Sequence, residues 1–213
     1  PIKGATPILF GLGENCRVYA DNIQPLGLRG TSCTIHLPDE SSFECVVPLP
    51  GAHMISNAWA GAAVGYTLHL TSEEIKAGIE GLPSIPGRNN IIKTDRLIIL
   101  DDCYNANPMS MKASLDVLKD GAGRRVAILG DMGELGENEV QLHAEVGEHA
   151  AQCGIDVCIC TGALFCKILQ KKQSRDSSYR SILTMVHAFF RVQSVSAALT
   201  VIHCVLYTGQ SEK

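Results

Sequence analysis

Leu97-Ile98-Ile99-Leu100-Asp101-Asp102-Cys103-Tyr104-Asn105-Ala106-Asn107-Pro108 is the stretch on which the reading of the fold turns. Four apolar β-formers run into two carboxylates. The polar loop after them ends at Asn107-Pro108, an N-cap followed by proline at the first helical position. These residues predict a strand over 96–100 and a helix over 108–118. The same order repeats downstream: 125–129 reads as a strand, 139–152 as a helix, 155–160 as a third strand, and a short helix opens near Ala163. Strand and helix in turn imply βαβ units, a parallel sheet and right-handed crossovers. Ligands of such sheets sit at the carboxyl ends of strands, here the loops 101–107 and 130–138. After about Gln170 the alternation fades into a charged, serine-rich stretch and then an apolar run without punctuation.

Upstream the pattern differs. Thr31–Leu37 and Ser41–Pro48 alternate apolar and polar residues around Pro38-Asp39-Glu40, which predicts a hairpin. Residues 52–68 are rich in Ala and Gly with apolar residues at helical spacing, as in a closely packed helix. Thr71 followed by Glu74 is a capping box for a second helix that ends near Gly81. Two prolines and a glycine in Pro83-Ser84-Ile85-Pro86-Gly87-Arg88 stop that helix and mark a domain boundary.

Composition narrows the function classes. At about 150 residues per domain, 213 residues make one large or two small domains. With 46% apolar and 19% charged residues the chain is globular rather than disordered. A net charge of −4 and 5% aromatics give no electrostatic or stacking footprint for nucleic acid. The longest apolar stretch, Val195–Tyr207, is too short to span a bilayer. Nine cysteines without any C-x-x-C pair fit neither a zinc ribbon nor a thioredoxin motif, so reduced, structural thiols of a cytoplasmic protein are expected. The chain opens at Pro1 without signal-peptide features and is expected to start mid-protein.

Four constellations could carry chemistry. Asn57, one turn into the Ala-rich helix, can present donor and acceptor together to a purine edge; a helix cap is the competing role. Arg88 in the linker can clamp phosphate, or be an ordinary surface arginine. Asp101 and Asp102 end a strand, where a carboxylate suits a ribose hydroxyl pair or a metal. The loop Gly130-Asp131-Met132-Gly133-Glu134-Leu135-Gly136-Glu137 is glycine-rich, but its three carboxylates would repel phosphate and better receive an ammonium group. His143 and His149 lie about 240° apart around one helix, cannot share a metal on one face, and are read as structural. No Gly-Lys dipeptide occurs, so there is no Walker A loop.

Taken together, G-x-H-x-x-x-N at 51–57, P-G-R at 86–88, I-L-D-D-C-Y-N-A-N-P from Ile99 and V-A-I-L-G-D-M-G-E-L-G-E-N at 126–138 closely resemble the Mur ligase family. The likeness runs from about Ile8 to Ile168. It implies an α/β fold: the end of a central ATPase domain over 1–92 and a Rossmann-like parallel-sheet C-terminal domain over 93–170. The atypical tail over 171–213, where the pattern is lost, reads as an out-of-frame or otherwise foreign terminus. The likeness further implies ATP-dependent amide formation with Mg²⁺, in the branch that adds D-alanyl-D-alanine to UDP-N-acetylmuramoyl-tripeptide for peptidoglycan. Carried over, Asn57 would contact adenine, Arg88 a terminal phosphate and Asp102 the ribose. Tyr104, Asn105 and Asn107, with Asp131 and Glu134, would line the substrate cleft. Met54 stands where the family has a second Asn. The family's phosphate loop, Mg²⁺ ligands and carbamylated lysine are expected upstream of Pro1, so no complete catalytic set and no metal ligand is assigned to this chain. The competing readings are a non-catalytic nucleotide- or partner-binding α/β module, and an unrelated module whose acidic loop receives a small amine.

Overall fold

The computed structural model describes residues 6–12, 15–95, 98–173 and 182–184. The chain divides into two compact units, Pro1–Pro83 and Ser84–Lys213.

In the first unit β1 (Tyr19–Pro25), β2 (Thr31–His36) and β3 (Ser42–Val47) form an antiparallel sheet in that order. The hairpin expected around residues 38–40 is β2–β3, in register from Thr31↔Val47 to His36↔Ser42. Asp39 closes its turn by accepting hydrogen bonds from the Ser41 amide and hydroxyl. β2 alternates strictly, burying Thr31, Cys33 and Ile35 on one face. Gly30 opens this strand at φ +108, with the Val47 carbonyl where a Cβ would stand. α1 (Met54–Thr67) buries Ile55, Ala58, Trp59, Ala62 and Ala63, a stripe at three- and four-residue spacing. α2 (Ser72–Glu80) starts at the capping box, with the Thr71 side chain accepting from the Glu74 amide and the Glu74 carboxylate accepting from Thr71. Such a cap contributes about 1 kcal/mol. Gly65 of α1 lies against Ile75 of α2, where a side chain would collide. Val18, Ile35, Val47, Ile55, Trp59, Ile75 and Ile79 join these elements into one apolar core.

The second unit holds β4 (Asn90–Lys93), β5 (Ile98–Asp101), α3 (Pro108–Lys119), β6 (Val126–Leu129), α4 (Glu139–Gln152), β7 (Val157–Cys160), α5 (Ala163–Gln173) and β8 (Ile182–Thr184). Asn107 caps α3 as expected: its side-chain oxygen accepts from the Ser110 amide at 2.8 Å, and Ser110 Oγ accepts from the Asn107 amide. β6, β7 and β8 form a parallel sheet, with α4 and α5 as the crossovers. Leu100, Leu115, Leu118, Leu129, Val146 and Phe165 are fully buried.

Two features depart from the strand–helix alternation. β5 is not hydrogen-bonded to β6 but pairs antiparallel with β4, from Asn90↔Asp101 to Lys93↔Ile98. Residues 90–93 therefore go with the second unit, their backbone satisfied by the strand that ends in Asp101. β8 lies beyond Gln170, where the sequence pattern fades, and extends the parallel sheet from β7. The rest of the tail expected over 171–213 lies outside the described residues. Among the described residues no helix is long and apolar enough to cross a membrane.

Candidate functional site

The carboxyl end of β5 is held by the chain that precedes β4. Ile85-Pro86-Gly87-Arg88 is a turn in which the Arg88 amide donates to the Ile85 carbonyl at 3.0 Å. Proline at its second position presets φ, and Gly87 at its third takes φ +76, the pair that a type II turn requires. The turn is pinned across to β5 at three points. The Gly87 amide donates to Asp101 Oδ2 at 2.8 Å, the Tyr104 amide to the Gly87 carbonyl at 2.9 Å, and the Asn89 amide to Asp102 Oδ1 at 3.1 Å.

Asp102 is half-buried, and its second oxygen accepts from the Ser114 hydroxyl of α3 at 2.6 Å. One donor on each oxygen leaves two further lone pairs on a carboxylate. The group is thus oriented but not saturated. Asp101 accepts from the Cys103 thiol at 3.0 Å; burial, then that carboxylate, push the Cys103 thiol up to about 11, so it is not a poised nucleophile. Arg88 is exposed, its guanidinium 3.9 Å over the centre of the Tyr104 ring, which is itself 68% exposed. Stacking occupies the face of a guanidinium and leaves its in-plane N–H donors directed outward. Arg88, Asp102 and Tyr104 therefore gather at one strand end.

Neither side chain of Asp131 and Asn107 has the open character expected of a cleft residue. Both Asp131 oxygens accept backbone amides at the start of α5, Oδ2 from Leu164 at 3.1 Å and Oδ1 from Phe165 at 2.7 Å. Its carboxylate thus complements a helix N-terminus instead of facing an ammonium group. The Asn107 oxygen is spent on the α3 cap. Glu134 is exposed at φ +59, and Asn105 is exposed with its oxygen turned to the Ala106 amide.

The loop 130–138 is anchored from beneath by His143. This ring is fully buried, accepts from the Met132 amide through Nε2 at 2.8 Å, and meets the Glu139 carbonyl through Nδ1 at 2.7 Å. An amide only donates and a carbonyl only accepts, so the proton is on Nδ1. Reading His143 as structural is consistent with this packing, edge-on to Phe165 at 5.2 Å.

A family model described as Mur ligase, glutamate ligase domain, matches residues 87–206, beginning at the turn glycine just described. The chain belongs to the Mur ligase family. It is 42% identical over 134 residues to the UDP-N-acetylmuramoyl-tripeptide–D-alanyl-D-alanine ligase of Escherichia coli K12, covering 62% of this chain and 29% of that protein. To the ligase of the same name from Bacillus subtilis 168 it is 36% identical over 138 residues, 63% of this chain and 30% of the relative. A crystal structure of MurF from Acinetobacter baumannii superposes with a TM-score of 0.72 at 30% identity, over 82% of this chain and 37% of that one. The chain thus spans about a third of the length of these relatives. The family match takes in residues 171–206 as well.

Asn57, the remaining position singled out from the Mur ligase pattern, lies in the first unit on the exposed side of α1. Its Nδ2 donates to Met54 Sδ at 3.7 Å, one turn earlier. Thioether sulfur is a weak acceptor, so this contact is readily surrendered. Sequence reasoning missed Ser114 and Asn89, which hold Asp102. Both act over 12 or more residues, and neither residue type in its local context signals the contact.

Proposed function

We propose that the chain supplies nucleotide-binding and nucleophile-side residues to an ATP-dependent amide ligase. The reaction joins D-alanyl-D-alanine to UDP-N-acetylmuramoyl-tripeptide in peptidoglycan precursor synthesis. One observation carries the reading: Asp102 is held at the end of β5 by Asn89 and Ser114 with lone pairs to spare, beside an exposed Arg88. Two hydroxyls of a ribose are donors of the right kind for those lone pairs, and the outward N–H groups of Arg88 suit a phosphate.

In this reaction the terminal phosphoryl group of ATP passes to the tripeptide carboxylate, ADP leaves, and the dipeptide amine attacks the acyl phosphate to expel phosphate. Catalysis of this kind rests on positioning and on stabilising phosphoryl oxygens. Arg88 would hold the terminal phosphate, Asp102 the ribose and Asn57 the adenine edge, while Tyr104, Asn105 and Glu134 would face the incoming dipeptide. Mg²⁺ accompanies the nucleotide in such reactions, and its ligands are not proposed among these carboxylates: Asp101 and Asp131 hold the Gly87 amide, the Cys103 thiol and the start of α5, and the remaining lone pairs of Asp102 go to the ribose.

Saturation-transfer NMR with millimolar ATP tests the reading without requiring tight binding. Ribose and adenine protons are expected to receive magnetisation from the wild-type chain, with a several-fold loss in Arg88→Ala and Asp102→Asn. Absence of transfer to ATP in the wild type would remove the nucleotide from the proposal.

A further inference from the structure

We propose that Asp116, His149 and Cys153 form a binding site for a transition-metal ion of the Zn²⁺ class, joining α3 to the end of α4. His149 and Cys153 are four residues apart, on successive turns of one helix face. His149 Nε2 lies 2.8 Å from Asp116 Oδ1, and Cys153 Sγ lies 3.5 Å from the same oxygen. The three ligand atoms all lie within 4.8 Å of one another. A tetrahedral Zn²⁺ with bonds of about 2.0 Å to N and O and 2.3 Å to S separates neighbouring ligand atoms by roughly 3.3–3.5 Å. The sulfur–oxygen spacing already meets that value. Asp116, whose side chain is 58% exposed, need retreat from His149 by about half an ångström, and the sulfur–nitrogen spacing, which lies within 4.8 Å, has to come to about 3.5 Å. One sulfur, one imidazole nitrogen and one carboxylate oxygen form a borderline donor set, suited to Zn²⁺ or Co²⁺ rather than Mg²⁺ or Ca²⁺. Water can complete the fourth position from the exposed side.

His149 and His143 lie about 240° apart around α4 and share no metal. The partner of His149 is instead Cys153 on its own helix and Asp116 across from it. A nucleophilic Cys-His-Asp relay is a poorer reading of the same atoms. The imidazole meets the carboxylate rather than passing between it and the thiol, and burial with Asp116 nearby pushes the Cys153 thiol up to about 11. Lys119 and Asp120, the other charges acting on Cys153, oppose one another in sign. Binding here is independent of the proposed nucleotide contacts, because it uses none of Asn57, Arg88 and Asp102.

Co²⁺ titration of the full 213-residue chain under a phosphine reductant tests the proposal. One equivalent is expected to give tetrahedral d–d bands and a thiolate-to-cobalt charge-transfer band, and Zn²⁺ should displace both. Cys153→Ser should abolish the charge-transfer band, and His149→Ala and Asp116→Asn should each weaken binding at least tenfold, since loss of a partner one shell further out costs about that much. Cys16→Ser should leave the spectrum unchanged. A charge-transfer band that survives Cys153→Ser, or no band in the wild type, overturns the site. Should Cys153→Ser unfold, the thermal shift produced by Zn²⁺ decides. A rise in Tm that Asp116→Asn abolishes supports the site, and an equal rise in that variant overturns it.

Discussion

Titrated calorimetrically with Mg-ATP, the 213-residue chain by itself is expected to bind no tighter than millimolar, and to form no product from UDP-N-acetylmuramoyl-tripeptide and D-alanyl-D-alanine. Asn57, Arg88 and Asp102 would supply adenine, phosphate and ribose contacts. A phosphate cradle contributes several backbone N–H donors and a lysine, and no Gly-Lys dipeptide occurs in these residues. Charge-assisted hydrogen bonds are worth roughly 1.5–3 kcal/mol each, so three missing contacts cost on the order of 5–9 kcal/mol. That is about four to seven powers of ten in affinity. Micromolar binding abolished by Arg88→Ala, an exposed position whose replacement leaves the core intact, would show that a complete phosphate site exists in this chain.

The largest expected loss of stability is that of His143→Ala. The substitution removes a ring with no exposed surface and leaves the Met132 amide buried without its acceptor. An unsatisfied buried N–H costs about 1–3 kcal/mol, and truncation of a large core side chain about 2–4 kcal/mol more. A sum near 5 kcal/mol corresponds to roughly 15–25 °C in Tm for a unit of this size. Thermal unfolding followed by circular dichroism measures it. A fall of less than about 5 °C would mean that water or the loop 130–138 re-satisfies the amide. His143→Gln, which can still offer an acceptor, is expected to lose about half as much.

Much of the second unit is legible from local signals. α4 begins and ends where the pattern puts it, at Glu139 and Gln152, and α3 starts at Pro108 because Asn107 and Ser110 cap each other within four residues. The capping box of α2 is local in the same way. What escaped depends on partners far along the chain. β4 has four residues and no alternation of its own; it is a strand because β5 lies beside it. β8 is three residues long and exists against β7, more than twenty residues earlier. Asp131 suggested an acidic loop open to an amine, but its partners are the amides of residues 164 and 165. The pairing of Asp102 with Ser114 is equally invisible, since a serine inside a helix has many ordinary uses.

Gly162 takes φ +99, and the Asp131 carboxylate lies where its Cβ would be. The two positions are therefore not free to vary separately. Any side chain at 162 would evict the carboxylate from the start of α5, leaving the amides of Leu164 and Phe165 without it. A shorter residue at 131 would abandon those same amides while making room for nothing useful. A change at either site meets a barrier from the other, so replacing both is not the sum of replacing each. The acidity of the loop at 131 answers to a helix more than thirty residues away, whatever small molecule the loop comes to face.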